Sequence, residues 1–518
     1  MSGIMDIAVR CWRKLLFVGT AAVSVLNANA VTVHIQLSAP SYVDQRVLLY
    51  QCSDLFTGRT ELLTHSRIDD KGNALLEAEV SGTVKGTIRI GEVSADLWLN
   101  GGSYTIDFPA PDPKKPRSLN GTTMVDPIFK NLDHLDINAL IGDLNERLDA
   151  FLAQDLATDQ RAGMQAVDIA RRDGGNLMPD SVKRPGTLFI TPQFTPARVD
   201  TFERKLRTFY ADVKNPWFWR NLDYGIAGLR FGPRVNDRDL FDRYLKSKPV
   251  LYDVPEYVRF FNSFFEEHLM RNPFRNDEAA LMRAINGALI DSLKNLFAKN
   301  DFLKDPALCE LVVIKELYAQ YPGKIFDRAS ILKLIDNVAN TSAIPEHKRI
   351  ATNMHWDLVT MKNGGTLPSL VLRSPEGTPV RVDTMLHDAT CIVLTASWCT
   401  YCEQEMVAME TLFKEYGAYF NVVGISLDRD MNELEKYVKA HPQRSWPWLF
   451  GGDDPTIMDA LRIRSIPTFF LLNDNTLVYS PAPAPSNGMA AILHRMKVEA
   501  DERNKLRPGV APRSPKRR

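Results

Sequence analysis

The stretch TASWCTYCEQE, residues 395–405, carries the most specific pattern in this 518-residue chain. An apolar, β-branched run at residues 391–395 leads into it, and residues 399–416 have the spacing of an amphipathic helix. Cys399 and Cys402 stand where the predicted strand gives way to the predicted helix. Two thiols spaced Cys-x-x-Cys at such a turn are suited to dithiol–disulfide exchange.

The two cysteines are expected to have different chemistry. Cys399 would lie at the first turn of the helix, where unpaired backbone N–H groups and the helix dipole favour the thiolate that attacks a disulfide. Cys402 would lie one turn deeper on the same face, where it can pair with Cys399 or resolve a mixed disulfide. Glu405 would either face this pocket and take the proton of Cys402, or be an ordinary solvated helix residue; its spacing fits both.

A second element of interest precedes an apolar strand at residues 468–472. The sequence there reads Ile466-Pro467-Thr468. A proline directly before a strand often lies in a tight turn and can be cis, although trans is the commoner state.

The elements around these motifs alternate between strands and helices, which predicts an α/β sheet at residues 364–500. The expected order is a hairpin at 367–382, a strand at 391–395, a helix at 399–416, a strand at 422–427, a helix at 432–440, a strand at 468–472 and a terminal helix at 489–499. The basic tail, residues 501–518, is predicted to be disordered.

The segment from Gly365 to about Glu499 resembles the thioredoxin fold, specifically the exported TlpA/ResA-like thiol–disulfide oxidoreductases. The motifs that carry the resemblance are Trp-Cys-x-x-Cys at 398–402, the following Glu405, the strand VVGISLD at 422–428 and Ile-Pro-Thr at 466–468.

The resemblance implies roles for individual residues. Cys399 would be the nucleophile and Cys402 the resolving thiol. Pro467 would be the cis-proline beside the pair, Glu405 would tune the deeper thiol, and Trp398 belongs to the catalytic motif. The sequence departs from the family at three places: Val407 stands where proline is common, the turn at 473–476 lacks glycine, and Cys391 is an additional thiol.

Residues 31–112 have the pattern of short strands. Apolar residues alternate with polar ones at 31–37, and further short runs are separated by turn signals such as Ser81-Gly82. We therefore expect a small antiparallel β-sandwich, ending at a proline-rich linker over residues 109–116.

The period changes to that of helices between residues 125 and 362. This predicted helical domain is rich in aromatic residues, which form either its core or a groove for a partner protein. A β domain followed by helices looks like the multidomain arrangement common in exported Bacteroidetes-type proteins of this family.

Composition excludes several functional classes. Lys+Arg and Asp+Glu both number 63, so nothing global favours nucleic acid or an anionic membrane. The eight-residue separation of His347 and His355 matches no short metal-ligand spacing, and no glycine-rich phosphate loop follows a strand. Neither a metal nor another cofactor is therefore expected.

The first 30 residues have the three parts of a signal peptide: basic residues up to Lys14, an apolar stretch at 15–26 and Ala28-Asn29-Ala30. Removing them leaves five cysteines, an odd number that argues against a disulfide-stapled scaffold. Cys391 is expected to be a buried core residue, and the pairing of Cys52 and Cys309 stays open.

The sequence therefore predicts a periplasmic or otherwise exported enzyme. It would exchange disulfides and dithiols with protein substrates, as a reductase fed by a membrane electron donor, without a transmembrane segment of its own after signal cleavage. One alternative is a peroxiredoxin-like peroxidase, although no proline accompanies Thr395 ahead of Cys399. Another is a non-catalytic binding module on a thioredoxin scaffold.

Export makes a direct prediction about the mature chain. Cleavage after Ala30 should give a protein that begins at Val31, because the small-x-small pattern at 28–30 is what a signal peptidase accepts. Mass spectrometry of the protein from its native cell checks this, and peptides from residues 1–30 in the mature protein would contradict it.

Overall fold

The computed structural model describes residues 30–112, 123–153, 195–231, 236–452, 454–463 and 465–505. These form a strand-rich unit, a helical unit and an α/β unit, in chain order. Residues 1–29 of the predicted signal peptide and residues 113–116 of the predicted linker lie outside the described residues. In the described parts of the chain, no helix combines the length and apolar character needed to cross a membrane.

The strand-rich unit consists of two sheets that share one core. The sheet orders are β4-β1-β7-β9 and β3-β2-β5-β6-β8. Alternate residues of β1, such as Val33 and Ile35, pack with Val47 and Leu49 of β2 in the shared core. The strands are β1 (Ala30–Ser38), β2 (Arg46–Cys52), β3 (Thr60–Arg67), β4 (Asn73–Ser81), β5 (Val84–Ile90), β6 (Val93–Leu99), β7 (Gly102–Asp107), β8 (Thr123–Met124) and β9 (Ile128–Phe129).

The β-sandwich is confirmed, but two details of the prediction are wrong. The pairs β1–β7 and β6–β8 are parallel, whereas an antiparallel sandwich was expected. Period-two alternation identifies the buried face of a strand but not the direction of its neighbour. The short strands β8 and β9 also extend this unit to residue 129, because strands of two residues have no period that a sequence pattern could reveal.

The helical unit begins at residue 137 rather than 125. Two of its described helices, α3 and α8, start with proline after a capping side chain; Asp305, for example, accepts hydrogen bonds from two backbone N–H groups of α8. The helices are α1 (137–153), α2 (Pro196–Phe209), α3 (Pro216–Leu229), α4 (Asp237–Tyr244), α5 (Pro255–Phe264), α6 (Arg275–Asn286), α7 (Ile290–Phe297), α8 (Pro306–Gln320), α9 (Arg328–Thr341) and α10 (Pro345–Val359).

The aromatic residues of the helical unit form its core. Tyr257, Phe260 and Phe261 of α5 are buried together with Phe218 of α3 and Phe265. Edge-on and tilted ring contacts connect several of them, as between Phe261 and Phe265. These rings therefore fill the interior, as expected of helices with an apolar stripe.

A buried polar network lies among α7, α8 and α10. The Glu310 carboxylate accepts a hydrogen bond from the Ser342 hydroxyl. Its oxygens also lie 2.8 Å from Nδ1 of His347 and 2.6 Å from Nζ of Lys294. Burial alone would raise the pKa of Glu310, but these partners outweigh it and lower the pKa to about 2. The charge is thus paired where an isolated carboxylate would be costly.

The α/β unit has one seven-stranded sheet in the order β11-β10-β14-β13-β12-β15-β16. The interior strand β12, between β13 and β15, is wholly buried, with Cys391 and Val393 in one core and Ile392 and Leu394 in the other. The elements are β10 (Val371–Arg373), β11 (Pro379–Arg381), β12 (Ala389–Thr395), α11 (Thr400–Tyr416), β13 (Asn421–Ser426), α12 (Met431–Ala440), β14 (Trp448–Phe450), α13 (Pro455–Ala460), β15 (Thr468–Asn473), β16 (Thr476–Tyr479) and α14 (Ala490–Lys505).

The predicted alternation of strands and helices in this unit is confirmed. The turn without glycine is accommodated at Asp474, which takes a φ of 50°, a conformation that aspartate tolerates better than most residues. Helix α14 continues to Lys505, so the prediction of disorder is wrong for residues 501–505. Residues 506–518 lie outside the described residues.

The Glu310 network predicts acid-sensitive stability. The pKa of Glu310 is depressed from an unfolded value of 4.5 to about 2. The stabilisation it contributes is therefore fully present above pH 4.5 and is lost as the pH falls from 4.5 through 2. Glu310→Gln should lower the free energy of unfolding at pH 7 by about 3 kcal/mol, because Lys294 and His347 lose their partner.

Urea unfolding of the full chain between pH 2 and pH 7 measures this effect. Glu278→Gln, at an exposed position on α6, is the matched control and should change stability by less than about 0.5 kcal/mol. Equal stability of Glu310→Gln and the control at pH 7 would contradict the account.

Candidate active site

The junction between β12 and α11 places the two cysteines. Cys399 is the N-cap residue of α11, and its Sγ accepts a hydrogen bond from the backbone N–H of Cys402 at 3.1 Å. The two residues form a disulfide with their Cα atoms 5.2 Å apart. Cys399 is partly exposed, whereas Cys402 is 1% exposed. One sulfur is therefore within reach of a partner and the other is enclosed.

Pro467 lies at the same edge of the sheet. β15 pairs with β12 in a register that sets Thr468 opposite Leu394. The next residues, Pro467 and Thr395, therefore flank each other where the cysteine loop leaves the sheet. The Ile466–Pro467 peptide bond is cis. The structure thus brings together the proline and the cysteines that the sequence singled out.

Asp428 holds the loop in front of Cys399 from the other side. It is buried at the end of β13, and its Oδ1 accepts hydrogen bonds from the backbone N–H of Ser397 at 2.7 Å and from its hydroxyl at 2.8 Å. The Ser426 hydroxyl donates to Oδ2 of Asp428 at 2.6 Å. The sequence pattern identifies Asp428 only as the end of the VVGISLD segment and gives no signal for this contact, which spans 31 positions of the chain.

Glu405 lies on the buried face of α11, three residues beyond Cys402. It is only 2% exposed, so the alternative of a solvated helix residue is wrong. Its carboxylate accepts hydrogen bonds from the backbone N–H of Ser486 at 3.0 Å and from the Ser486 hydroxyl at 2.5 Å. Ser486 was missed because it lies 81 positions away in a proline-rich segment without a chemical motif.

The surface beside Cys399 is apolar. Trp398 is 62% exposed and Tyr401 is 58% exposed, although both are large side chains that usually bury most of their surface. Val407, which stands where the family often has proline, is exposed as well. Helix α11 continues through this position as one helix from Thr400 to Tyr416.

A charged cluster connects the first turn of α11 to the segment after α12. The guanidinium of buried Arg444 donates to both carboxylate oxygens of Glu403, at 2.5 and 2.9 Å, and to Glu410 at 2.7 Å. The hydrogen bonds from Arg444 hold the pKa of Glu403 below its ordinary value. A carboxylate next to Cys402 would otherwise disfavour a thiolate, and its pairing with Arg444 offsets that effect.

The other described cysteines differ from this pair. Cys52, Cys309 and Cys391 are free, which settles the open question of a Cys52–Cys309 disulfide. Burial raises the pKa of both Cys52 and Cys309 to about 11, and it raises the pKa of Cys391, which is fully buried in β12 as expected. At neutral pH all three are thiols rather than nucleophilic thiolates.

No group of three His, Cys, Asp or Glu side chains converges as metal ligands would anywhere in the residues that the structure describes.

Residues 388–478 match a family model described as thioredoxin-like. This range contains both cysteines, Glu405 and Pro467, and the α/β unit is a thioredoxin-like domain with a Cys-x-x-Cys pair. The resemblance inferred from the sequence is thereby confirmed for the fold of this domain. The matched range does not include the sandwich or the helical unit.

Individual proteins are similar to the same part of the chain. A curated relative named Probable nucleoredoxin 2, from Oryza sativa subsp. japonica, is 26% identical over 121 residues, which cover 23% of this chain and 31% of the relative. The chain therefore aligns with about a third of that relative's length.

Two solved structures are also similar. The thioredoxin domain of a thiol-disulfide oxidoreductase from Bacteroides vulgatus is 16% identical, with a TM-score of 0.23, and the match covers 27% of this chain and 97% of that domain. A thiol:disulfide interchange protein from a Bacteroides species is 13% identical, with a TM-score of 0.24, and the match covers 26% and 91% of the two chains.

The Asp428 contacts predict a specific loss of stability. Asp428→Ala should lower the free energy of unfolding by about 2 kcal/mol, because the Ser397 N–H and two hydroxyls lose a buried acceptor. Thermal unfolding measures the change. Glu435→Ala, within the same domain, is the control, because the Glu435 carboxylate makes an exposed pair with Lys439, and it should be close to wild type. An equally small effect at Asp428 would count against its role.

Proposed function

We propose that this protein is an exported thiol–disulfide oxidoreductase that reduces disulfides of protein substrates through Cys399 and Cys402. The observation that carries the proposal is the asymmetry of the pair: Cys399 is partly exposed at the N-cap of α11, while Cys402 is buried directly behind it. In such a pair one sulfur can react with a substrate disulfide, and the other can then attack the resulting mixed disulfide.

The reaction begins with the reduced pair. The Cys399 thiolate attacks one sulfur of a substrate disulfide, the substrate S–S bond breaks, and the second substrate sulfur leaves as a thiolate. Cys402 then attacks Sγ of Cys399, breaks the mixed disulfide and releases the other substrate thiolate. Two electrons have passed to the substrate, and the protein is left with the Cys399–Cys402 disulfide.

Other residues assist these steps. Glu405, three residues beyond Cys402 on the buried face of α11, takes the proton of Cys402 as it attacks. Trp398 provides apolar surface next to the reachable sulfur, and Pro467 borders the cysteine loop on the side of β15. The hydrogen bonds from Ser486 hold the carboxylate of Glu405 in place.

The cellular setting of the proposal is that of the TlpA/ResA-like enzymes. Export is supported by the signal-peptide pattern of residues 1–30, and the reducing direction by the sequence resemblance to that family. A membrane electron donor in the periplasm would return the Cys399–Cys402 disulfide to the dithiol, since each turnover consumes two electrons.

The cysteine roles predict different behaviour for two variants. Cys399→Ser should abolish reduction of insulin by the dithiothreitol-primed protein, because the attacking sulfur is gone. Cys402→Ala should accumulate a mixed disulfide with its substrate, because the resolving thiol is missing; non-reducing electrophoresis followed by mass spectrometry detects and identifies it.

Cys52→Ala is the matched control, since Cys52 is a free thiol in the sandwich unit, and it should retain full activity. Undiminished insulin reduction by Cys399→Ser would contradict the proposal. Consumption of peroxide without disulfide exchange would instead identify a peroxidase, and neither activity would identify a binding module.

A further inference from the structure

The three units of the chain meet at Trp356 on α10. The guanidinium of Arg59, from the sandwich unit, lies 4.1 Å from the centre of the Trp356 ring. That of Arg462, from the thioredoxin-like domain, lies 4.6 Å from the same centre. Asn353, one turn earlier on α10, accepts a hydrogen bond from Arg59 at 2.7 Å. A guanidinium close to an aromatic ring is an attractive contact that also excludes water.

Arg462 connects this junction to the catalytic edge. It follows α13 and lies five positions before Pro467. Its Nη2 donates to the carboxylate of Asp357 at 2.6 Å, and its Nη1 donates to the backbone carbonyl of Asp357 at 3.0 Å. Asp459, on α13, accepts a hydrogen bond from the Tyr50 hydroxyl of the sandwich at 3.0 Å. Both upstream units therefore contact α13 and Arg462, which precede the cis-proline in the chain.

The loop on the opposite side of the cysteines is held in a similar way. Arg429 follows Asp428, the residue that binds Ser397, and its Nη2 lies 2.7 Å from the carboxylate of Asp44 in the sandwich. Each of the two segments that flank the cysteine loop thus has an arginine contact with an upstream unit.

The two contacts differ in strength. The side chains of Arg429 and Asp44 are 50% and 51% exposed, and such surface pairs contribute little. Arg462 is 28% exposed and Asp357 32%, and Arg462 adds a backbone acceptor and the Trp356 ring to its ion pair. Of these two arginine contacts, that of Arg462 is therefore the stronger.

We propose that Arg462 is a positioning residue, through which the helical and sandwich units hold residues 465–467 in place beside Cys399 for the binding of protein substrates. The inference rests on the proposed function. A protein disulfide must approach Cys399 with the chain around it lying against the neighbouring loops, so a displaced loop reduces the fraction of productive encounters. A small disulfide touches only the sulfur and needs no such surface.

The test compares two substrates with the full-length protein. Arg462→Ala should raise KM for insulin about tenfold, equivalent to about 1.4 kcal/mol of binding, with kcat within twofold. Its reaction with the small disulfide 5,5′-dithiobis(2-nitrobenzoate) and the reduction potential of the Cys399–Cys402 disulfide should stay at wild-type values. Arg462→Lys should recover part of the insulin KM, since lysine keeps the charge but not the planar fork.

Asp357→Asn changes the partner of Arg462 and lies outside the thioredoxin-like domain. It should raise KM for insulin in the same way, which would exclude misfolding of the domain in Arg462→Ala as the cause. Arg381→Ala is the matched control, because Arg381 is an exposed arginine whose ion-pair partner, Asp383, belongs to its own domain. A wild-type insulin KM in both Arg462→Ala and Asp357→Asn would overturn the proposal, as would an equal loss with the two substrates. If the wild-type protein does not reduce insulin, the proposed function itself is wrong.

Discussion

The hydrogen bond from the backbone N–H of Cys402 to Sγ of Cys399, 3.1 Å long, is the contact on which the account of this protein depends. It exists because a fully buried strand, β12, turns directly into α11 with Cys399 at the N-cap. An N-cap side chain normally accepts hydrogen bonds from free backbone N–H groups. Here the acceptor is a sulfur, so the same interaction that starts the helix also favours a negative charge on Cys399.

The surroundings of that contact restrict the cysteine loop from several sides. Asp428 holds Ser397 on one side, Pro467 borders the loop on the other, and Arg444 neutralises the carboxylate of Glu403 behind it. Asp428 follows β13, Pro467 precedes β15 and Arg444 follows α12, so a correctly formed sheet is required before the site exists. The chemistry of the pair is thus a property of the folded domain rather than of the four-residue motif.

The sequence was sufficient to predict an element or a site residue wherever the signal for it is local in the chain. The seven buried residues of β12, the Cys-x-x-Cys spacing and the proline before β15 each leave a recognisable pattern, and the structure confirms the elements they predicted. It was insufficient where partners are distant in the chain. Asp428, Arg444 and Ser486 are chemically ordinary residues, and only the fold brings Asp428 to the cysteine loop and the other two to α11. The strands β8 and β9 were missed because two residues are too few to show a period.

The structure also shows how the two upstream units pack and how they contact the rest of the chain. The stripes of aromatic residues on α3 and α5 form a core. Leu55, Phe56 and Trp98 of the sandwich unit pack against that core, so the contact between these two units is partly apolar. The contact between Arg462 of the thioredoxin-like domain and Asp357 of α10 is, by contrast, polar.

Selective alkylation of the reduced native protein tests the central claim most directly. A brief pulse of iodoacetamide at neutral pH, followed by denaturation, a second label and peptide mass spectrometry, reports which thiol reacts first. The account predicts that Cys399 is modified well before Cys402, Cys52, Cys309 and Cys391, because it alone combines exposure with the N-cap of a helix. Equal labelling of Cys399 and Cys52, or faster labelling of Cys402, would contradict it.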